Sequence, residues 1–113
     1  MADDCIFCKI GAGQIPVDAI FEDDEFIAFH DQNPQAPVHV LVIPRTHFDT
    51  LMEMDDAGLM GRALIAAKNT AQSLNLHHDG FRVVINCGAD GGQTVYHVHI
   101  HILGGRYMTW PPG

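Results

Sequence analysis

Basic residues are scarce in this chain of 113 residues. Six lysines and arginines stand against 14 aspartates and glutamates, which gives a formal net charge of −8. Because nucleic-acid binding depends on a basic surface that neutralises phosphates, this balance argues against a general nucleic-acid partner. It still permits a small anionic substrate that is held by a few well-placed donors.

Long apolar runs are absent from the sequence as well. No stretch approaches the roughly 20 apolar residues that cross a bilayer, and the opening segment MADDCIFCKI lacks the basic start and long apolar run of a signal peptide. We therefore expect no membrane partner and a cytoplasmic location. Since there is no internal repeat, low-complexity segment or Pro/Gly/Ser-rich linker, the length predicts a single domain over residues 1–113.

Cysteine is rare, with three residues at Cys5, Cys8 and Cys87. An odd number in an apparently cytosolic chain argues against a disulfide framework. Cys5 and Cys8 form a C-x-x-C motif, which is close enough to chelate one ion but supplies only half of a tetrahedral site. Two buried thiols are the simpler interpretation. A redox pair is a weaker one, because no thioredoxin-like β-α-β pattern surrounds the motif.

Several short stretches have the character of strands separated by turns. Residues 20–22 and 25–30 flank an acidic turn at Asp23 and Asp24, which is typical of a hairpin. Residues 38–43 form a third apolar run that Pro44 ends, and residues 81–86 and 96–103 follow as a fourth and a fifth.

A long helix is predicted in the segment DDAGLMGRALIAAKNTAQSLNL, residues 55–76, where Asp55 or Asp56 can cap the start. Its apolar residues follow a helical stripe: Leu59, Ala63, Ala67 and Ala71, with Leu64 and Leu74 alongside. Residues 6–11 weakly indicate a short helical turn. One long helix among consecutive strands predicts an α+β fold with a mostly antiparallel sheet.

Three histidines alternate with apolar residues in the segment YHVHIHILGG, residues 96–105. In a strand, His97, His99 and His101 share one face, and the apolar residues between them share the other. A solvated face that happens to carry histidine is the simple interpretation, but imidazoles have no packing advantage there over Thr or Lys. A metal site and a histidine nucleophile are the two sharper ones.

A glycine-rich loop lies just before the histidines. Gly88, Gly91 and Gly92 allow backbone N–H groups to converge, and the Thr94 hydroxyl adds a donor. Such a loop suits a phosphate and stabilises charge on phosphoryl oxygens, although glycine loops are also common as plain turns. Together with the three histidines, the loop favours phosphoryl chemistry.

The sequence resembles the histidine triad (HIT) nucleotide-binding proteins. HVHIHIL fits their His-x-His-x-His-x-x signature, and the resemblance covers nearly the whole chain through CIFCKI, FEDDEFIAFHD, PQAPVHVLVIPRTH, DGGQTVYHVHIHILGGR and the terminal WPPG. That ending resembles the nucleoside phosphoramidase branch of the family. The resemblance implies a HIT-like α+β fold with a five-stranded antiparallel sheet, one long helix and a short N-terminal helix. It also implies a homodimer in which two such sheets join.

The resemblance implies hydrolysis of the P–N bond in adenosine or guanosine 5′-phosphoramidates through a nucleotidyl-histidine intermediate. AMP, GMP and their phosphoramidate derivatives are then the expected ligands. By this resemblance His99 is the nucleophile, and His101 contacts the phosphate and helps with proton transfer. Thr94 stands where this branch usually has serine, so the hydroxyl is kept and a methyl group is added.

Further contacts are carried over from the family to matching positions. Asp31 would accept hydrogen bonds from the ribose, with Gln32 beside it. The phosphate region would be held by Asn86, Gly92, Gln93 and Thr94, and the base pocket would be lined by Ile6, Phe7, Ile10 and Phe29. Without the resemblance, these apolar residues are typical of an ordinary core and Asp31 of a turn.

Many bacterial members of the family that carry this N-terminal C-x-x-C bind zinc, and the positions of their remaining ligands match His47 and His97 here. The resemblance therefore implies a closed structural zinc site formed by Cys5, Cys8, His47 and His97. His30, His39, His77 and His78 are taken as structural or surface residues, and Cys87 has no assigned role. By analogy, Trp110 packs across the dimer near the partner's site.

Three alternative functions stay open. A dinucleoside polyphosphate hydrolase of the same fold shares the GQTV segment, although the LGGR and WPPG segments argue against it. A nucleotide-binding adaptor with vestigial activity is the second alternative, and the intact histidines and glycine loop speak against a dead site. The third is a zinc store or sensor, which predicts metal on His99 or His101.

Overall fold

The computed structural model describes residues 4–113, and a short helix is the first element of this part of the chain. The elements follow in this order: α1 Ile6–Gly11, β1 Ala19–Glu22, β2 Phe26–His30, β3 Val38–Pro44, a 3₁₀ turn at Leu51–Glu53, α2 Ala57–Ser73, β4 Phe81–Val84 and β5 Ile100–Gly104. No helix in this part of the chain is both long and apolar enough to span a bilayer.

The strands of residues 4–113 form a five-stranded sheet in the order β1-β2-β3-β5-β4, and every neighbouring pair is antiparallel. The predicted α+β fold, with its antiparallel sheet, long helix and short N-terminal helix, is confirmed. The first hairpin turns where the acidic pair predicts it. There the Asp23 carboxylate accepts hydrogen bonds from the backbone N–H groups of Glu25 at 2.9 Å and Phe26 at 2.8 Å, which is how an aspartate stabilises a tight turn.

The two faces of the sheet carry separate apolar clusters, because side chains alternate along each strand. Helix α2 covers one face, where Val40, Val42 and Ile102 are fully buried. Helix α1 lies against the other face, where Phe7 and Ile10 pack with Phe29, Leu41 and Ile43. The candidate site described below lies on the α1 face.

Helix α2 begins at the cap that the sequence predicts. The Asp56 carboxylate accepts the Leu59 N–H at 3.1 Å, and the helix ends at Ser73 rather than continuing to residue 76. The expected stripe is correct for the alanines but wrong for Leu64, which is 52% exposed. Thr70 is fully buried instead, because its hydroxyl donates to the Ala66 carbonyl at 2.7 Å and so needs no solvent.

Two strands are shorter than the sequence predicts. Strand β4 ends at Val84, and strand β5 begins only at Ile100, so His97 and His99 lie outside the hydrogen-bonded ladder. Strand β3 pairs Val42 with Ile100, and the same register would next bring Pro44 opposite Val98. Pro44 has no N–H to donate, so the ladder stops there.

Candidate active site and metal centre

The three triad histidines lie on the α1 side of the sheet, but they face two different neighbourhoods. The His99 and His101 rings are adjacent, with centroids 4.9 Å apart. The His97 ring is fully buried and lies 4.9 Å from the ring of His47. The ring of Phe7, on helix α1, packs edge-on against both neighbourhoods. Its centroid lies 5.9 Å from that of the His97 ring and 5.2 Å from that of the His99 ring.

His99 is held in one tautomer by the backbone. Its Nδ1 lies 2.7 Å from the carbonyl oxygen of His97, and a carbonyl oxygen accepts but does not donate. Nδ1 therefore carries the proton, and the lone pair is on Nε2. The His99 side chain lines an open cleft. This is the tautomer that a histidine needs in order to attack through Nε2.

A chain of hydrogen bonds also fixes the tautomer of His101, but with the proton on the other nitrogen. The Gln35 N–H donates to Nδ1 of His39 at 2.9 Å, so the His39 proton is on Nε2. That Nε2–H donates in turn to Nδ1 of His101 at 2.8 Å, which leaves the His101 proton on Nε2. Burial, together with the neighbouring His99 and His39, lowers the pKa of His101 from 6.5 to about 4. His101 is therefore a neutral donor near pH 7.

The carboxylate of Asp31 approaches the same pair, with Oδ2 3.4 Å from Nε2 of His39. Asp31, His39 and His101 are close enough together to resemble a metal site. The Gln35 N–H argues against this use, because a metal on Nε2 of His39 would require a proton on Nδ1, where that N–H already donates. The geometry instead favours a proton-bearing hydrogen-bond chain.

The cleft beside these histidines has a volume of about 760 Å³. One part of its wall is apolar and another is polar, and nine residues expected from the sequence contribute to it: Ile6, Phe7, Ile10, Phe29, Asp31, Gln32, Thr94, His99 and His101. His39 and Leu41 of strand β3 and Gln35 before it also line the cleft. An apolar wall beside donors and a carboxylate suits an amphipathic ligand of nucleotide size.

Three of the expected phosphate contacts do not line this cleft: Asn86, Gly92 and Gln93. The Asn86 side chain donates to the Gly91 carbonyl at 2.7 Å and so closes the glycine loop on itself. Gly91 is required there, because a Cβ at this position would lie 2.4 Å from the carbonyl oxygen of Cys87. Gln93 is 6% exposed, and its carboxamide bonds only to backbone groups.

The second neighbourhood brings together the four residues of the expected metal site. The ligand atoms of Cys5, Cys8, His47 and His97 all lie within 4.8 Å of one another. Nδ1 of His97 is 3.4 Å from the Cys5 sulfur and 3.2 Å from Nδ1 of His47, and the latter is 3.1 Å from the Cys8 sulfur. These separations are those of ligands around one small tetrahedral ion.

Both histidines of this cluster turn a lone pair inwards. His97 donates its Nε2–H to the Pro44 carbonyl at 2.8 Å, and His47 donates its Nε2–H to the Asp49 carboxylate at 2.5 Å. Nδ1 of each ring is then free to coordinate, and such outer partners commonly orient metal-binding histidines. Burial and the contact with Cys5 raise the pKa of Cys8 to about 11, so a cation is needed to hold this sulfur as a thiolate. The four residues therefore fit a structural zinc ion.

Three contributors to these sites do not follow from the motifs. His39, which the sequence predicts as a structural or surface residue, is 5% exposed and holds the ring of His101. A lone histidine inside the apolar run VHVLVIP is the signal that marks it. Asp49 and Pro44 orient the two metal-site histidines, and nothing in their spacing indicates this, because both contacts depend on the folded sheet.

The comparisons with known proteins agree with this fold. The HIT domain family matches residues 12–108. An uncharacterized HIT-like protein of Synechocystis is 51% identical across the full length of both chains. A HIT family hydrolase from Legionella pneumophila superposes with a TM-score of 0.93 at 50% identity, covering 97% of this chain and 100% of that one. A histidine triad protein from Clostridium difficile gives a TM-score of 0.91 at 42% identity, with 96% of each chain covered.

A sheet of this topology with a histidine triad beside a nucleotide-sized cleft defines a histidine triad protein. The chain belongs to the HIT domain family.

Proposed function

We propose that the protein is a purine nucleoside phosphoramidase that hydrolyses the P–N bond of adenosine or guanosine 5′-phosphoramidates. The observation that carries this proposal is the tautomer of His99, whose Nδ1–H is tied to the His97 carbonyl while the ring lines the cleft. The similarity to a HIT family hydrolase supports hydrolytic chemistry. The terminal WPPG supports the phosphoramidase branch of the family.

The substrate fills the cleft from its apolar wall to the histidines in this proposal. The purine packs among Ile6, Phe7, Ile10 and Phe29, and the ribose hydroxyls donate to Asp31 with Gln32 beside it. The phosphoryl group then reaches His99 and His101, next to the hydroxyl of Thr94. Asn86, Gly92 and Gln93 belong to the phosphate region by shaping its loop from behind.

Hydrolysis proceeds in two displacements at phosphorus. Nε2 of His99 attacks, the P–N bond breaks as the Nε2–P bond forms, and the amine leaves with one proton taken from solvent. Water then attacks phosphorus, the Nε2–P bond breaks, and the nucleoside monophosphate is released while one proton of the water returns to solvent. His101 donates its Nε2–H to the phosphoryl group and helps the proton reach the amine, while His39 holds the His101 ring.

Single-turnover hydrolysis of adenosine 5′-phosphoramidate tests the proposal, using the wild-type protein, His99→Ala and the matched control His78→Ala. His78 is exposed, and it is not among the residues that line the cleft. We expect the control to match the wild type and His99→Ala to lose several orders of magnitude in rate. A wild type that binds AMP but reacts as slowly as His99→Ala would favour a nucleotide-binding adaptor. Preference for a dinucleoside polyphosphate would favour the P–O–P hydrolase.

We further propose that Cys5, Cys8, His47 and His97 bind one structural zinc ion. The supporting observations are the four converging ligand atoms and the two oriented imidazoles. When bound, zinc would tie α1, and with it the base-pocket wall, to the segment that carries His99. Protein purified without a histidine tag should contain about one zinc per chain, and Cys8→Ser should lose it. Less than a tenth of an equivalent in the wild type would contradict the assignment.

A homodimer is the proposed assembly. Strand β4 is an edge of the sheet, and Val83 on it is 40% exposed. Leu64 and Ile65 of α2 are about half exposed, at 52% and 54%. Trp110 is 78% exposed and lies 5.8 Å from the guanidinium of Arg82. Light scattering on the purified protein tests the dimer. The cytoplasmic location stays a prediction from composition.

A further inference from the structure

The side chain of Gln93 joins two loops that meet nowhere else through side-chain hydrogen bonds among residues 4–113. Its Oε1 accepts the N–H of Gly88, in the glycine loop, at 2.9 Å. Its Nε2 donates to the Asp49 carbonyl at 2.7 Å and to the Val95 carbonyl at 3.0 Å. The carboxamide is buried and all three of these hydrogen bonds go to backbone groups, so it is built as a connector rather than as a ligand contact.

One end of this connector reaches the metal centre. Asp49, whose carbonyl accepts from Gln93, uses its carboxylate to hold Nε2–H of His47 at 2.5 Å. His47 presents its other nitrogen to the cluster with Cys8 at 3.1 Å. An ion on that nitrogen fixes the ring, and the ring fixes the position of the Asp49 turn through a charge-assisted hydrogen bond.

The other end reaches the phosphate side of the cleft. The Gly88 N–H and the Val95 carbonyl lie on either side of Thr94, whose side chain lines the cleft beside His99. A shift of the carboxamide therefore moves the glycine loop and the Thr94 hydroxyl together. The Val95 side chain also packs against the apolar cluster of the cleft, so the part of the connection that is specific to the phosphate end runs through the Gly88 N–H and Thr94.

We propose that Gln93 is a positioning residue that couples the metal centre to the phosphate end of the cleft, so that a bound divalent metal strengthens the binding of a nucleotide's phosphate. This inference rests on the proposed function. Helix α1 offers a second route from the metal, but that route ends at the apolar wall and acts on the base. A third route runs through His97, whose carbonyl holds the ring of His99 directly. The ratio of AMP affinity to adenosine affinity selects the routes that reach the phosphate, because only AMP carries it, and a substitution of Gln93 separates its route from the one through His97.

The coupling is reciprocal. If the metal strengthens phosphate binding by a given factor, the phosphate strengthens metal binding by the same factor. Coupling between two sites is commonly about 5- to 150-fold. Since one carboxamide makes this connection, we expect an effect at the lower end, about 5- to 10-fold in the affinity ratio.

The experiment measures AMP and adenosine binding by calorimetry, for zinc-loaded protein and for protein treated with a chelator. The proteins are wild type, Gln93→Met, which keeps the volume of the side chain but not its hydrogen bonds, and the matched control Gln72→Met, where the glutamine is exposed on α2. We expect chelation to lower the AMP-to-adenosine ratio about fivefold or more in the wild type and the control, and to lower it clearly less in Gln93→Met, where only the route through His97 is left. Gln93→Glu, which keeps the acceptor for Gly88, replaces the methionine variant should that one not fold.

The outcomes separate the two proposals. A ratio that is unchanged by chelation in the wild type, or that falls equally in Gln93→Met, overturns the coupling. Failure of zinc-loaded wild type to bind either AMP or adenosine overturns the proposed function instead. Should the chelated protein unfold, zinc affinity is measured by chelator competition with AMP or adenosine present at equal multiples of their dissociation constants. A larger rise with AMP supports the coupling, and an equal rise overturns it.

Discussion

The low pKa of His101 predicts how stability depends on pH. An unfolded histidine takes up a proton near pH 6.5, whereas the folded site resists protonation of His101 down to about pH 4. Between these values the unfolded chain binds more protons, so the free energy of unfolding falls as the pH falls. With those two pKa values, the loss attributable to His101 is about 2 kcal/mol at pH 5 and about 3 kcal/mol at pH 4.

Urea denaturation between pH 7.5 and pH 4 measures this loss in the wild type and in His101→Asn. Both proteins keep the four residues of the candidate metal centre, so any metal bound there would be released alike at acid pH and its contribution would cancel in the difference. We expect the wild type to lose about 2 kcal/mol more than the variant between pH 7.5 and pH 5. Parallel curves for the two proteins would refute the assignment of a buried, neutral His101.

Three further predictions concern packing and backbone. Ile102→Ala removes a fully buried side chain from the α2 face of the sheet and should cost about 2–5 kcal/mol in urea denaturation; a cost below about 1 kcal/mol would contradict this. Gly61→Ala, at a helical position with no heavy atom within 4 Å, should stabilise the protein by about 1 kcal/mol in the same assay. Gly91→Ala should instead destabilise the glycine loop and slow hydrolysis of adenosine 5′-phosphoramidate, because its Cβ would lie 2.4 Å from the Cys87 carbonyl oxygen; unchanged turnover would count against the loop's role.

Local signals were sufficient to predict much of the fold. Asp23 and Asp56 act through short-range hydrogen bonds, so the hairpin turn and the start of α2 follow from the sequence. The burial of Thr70 and the exposure of Leu64 do not, because they depend on which side of α2 meets the sheet. A stripe of alanines indicates the buried side of the helix only to within about the angle between one residue and the next.

The candidate site was predicted unevenly for a related reason. The alternating histidines and the C-x-x-C pair are visible as motifs, and the structure brings His99 and His101 to the cleft and the four candidate metal ligands to one cluster. Residues that act by holding others have no such signature. His39 reaches His101 only because strands β3 and β5 are neighbours, and Gln93 reaches Asp49 across a sequence separation of 44 residues.

The early end of strand β5 has a chemical consequence for His99. Had strand β4 continued past Val84, its register would bring Gly88 opposite His97, and a backbone N–H there would compete with the His99 ring for the His97 carbonyl. Pro44 ends the pairing and its own carbonyl accepts the His97 ring proton, while the His97 carbonyl accepts the proton of the next imidazole. The break in sheet pairing thus leaves Nδ1 of His97 facing the candidate metal ligands and Nε2 of His99 free on the side of the cleft.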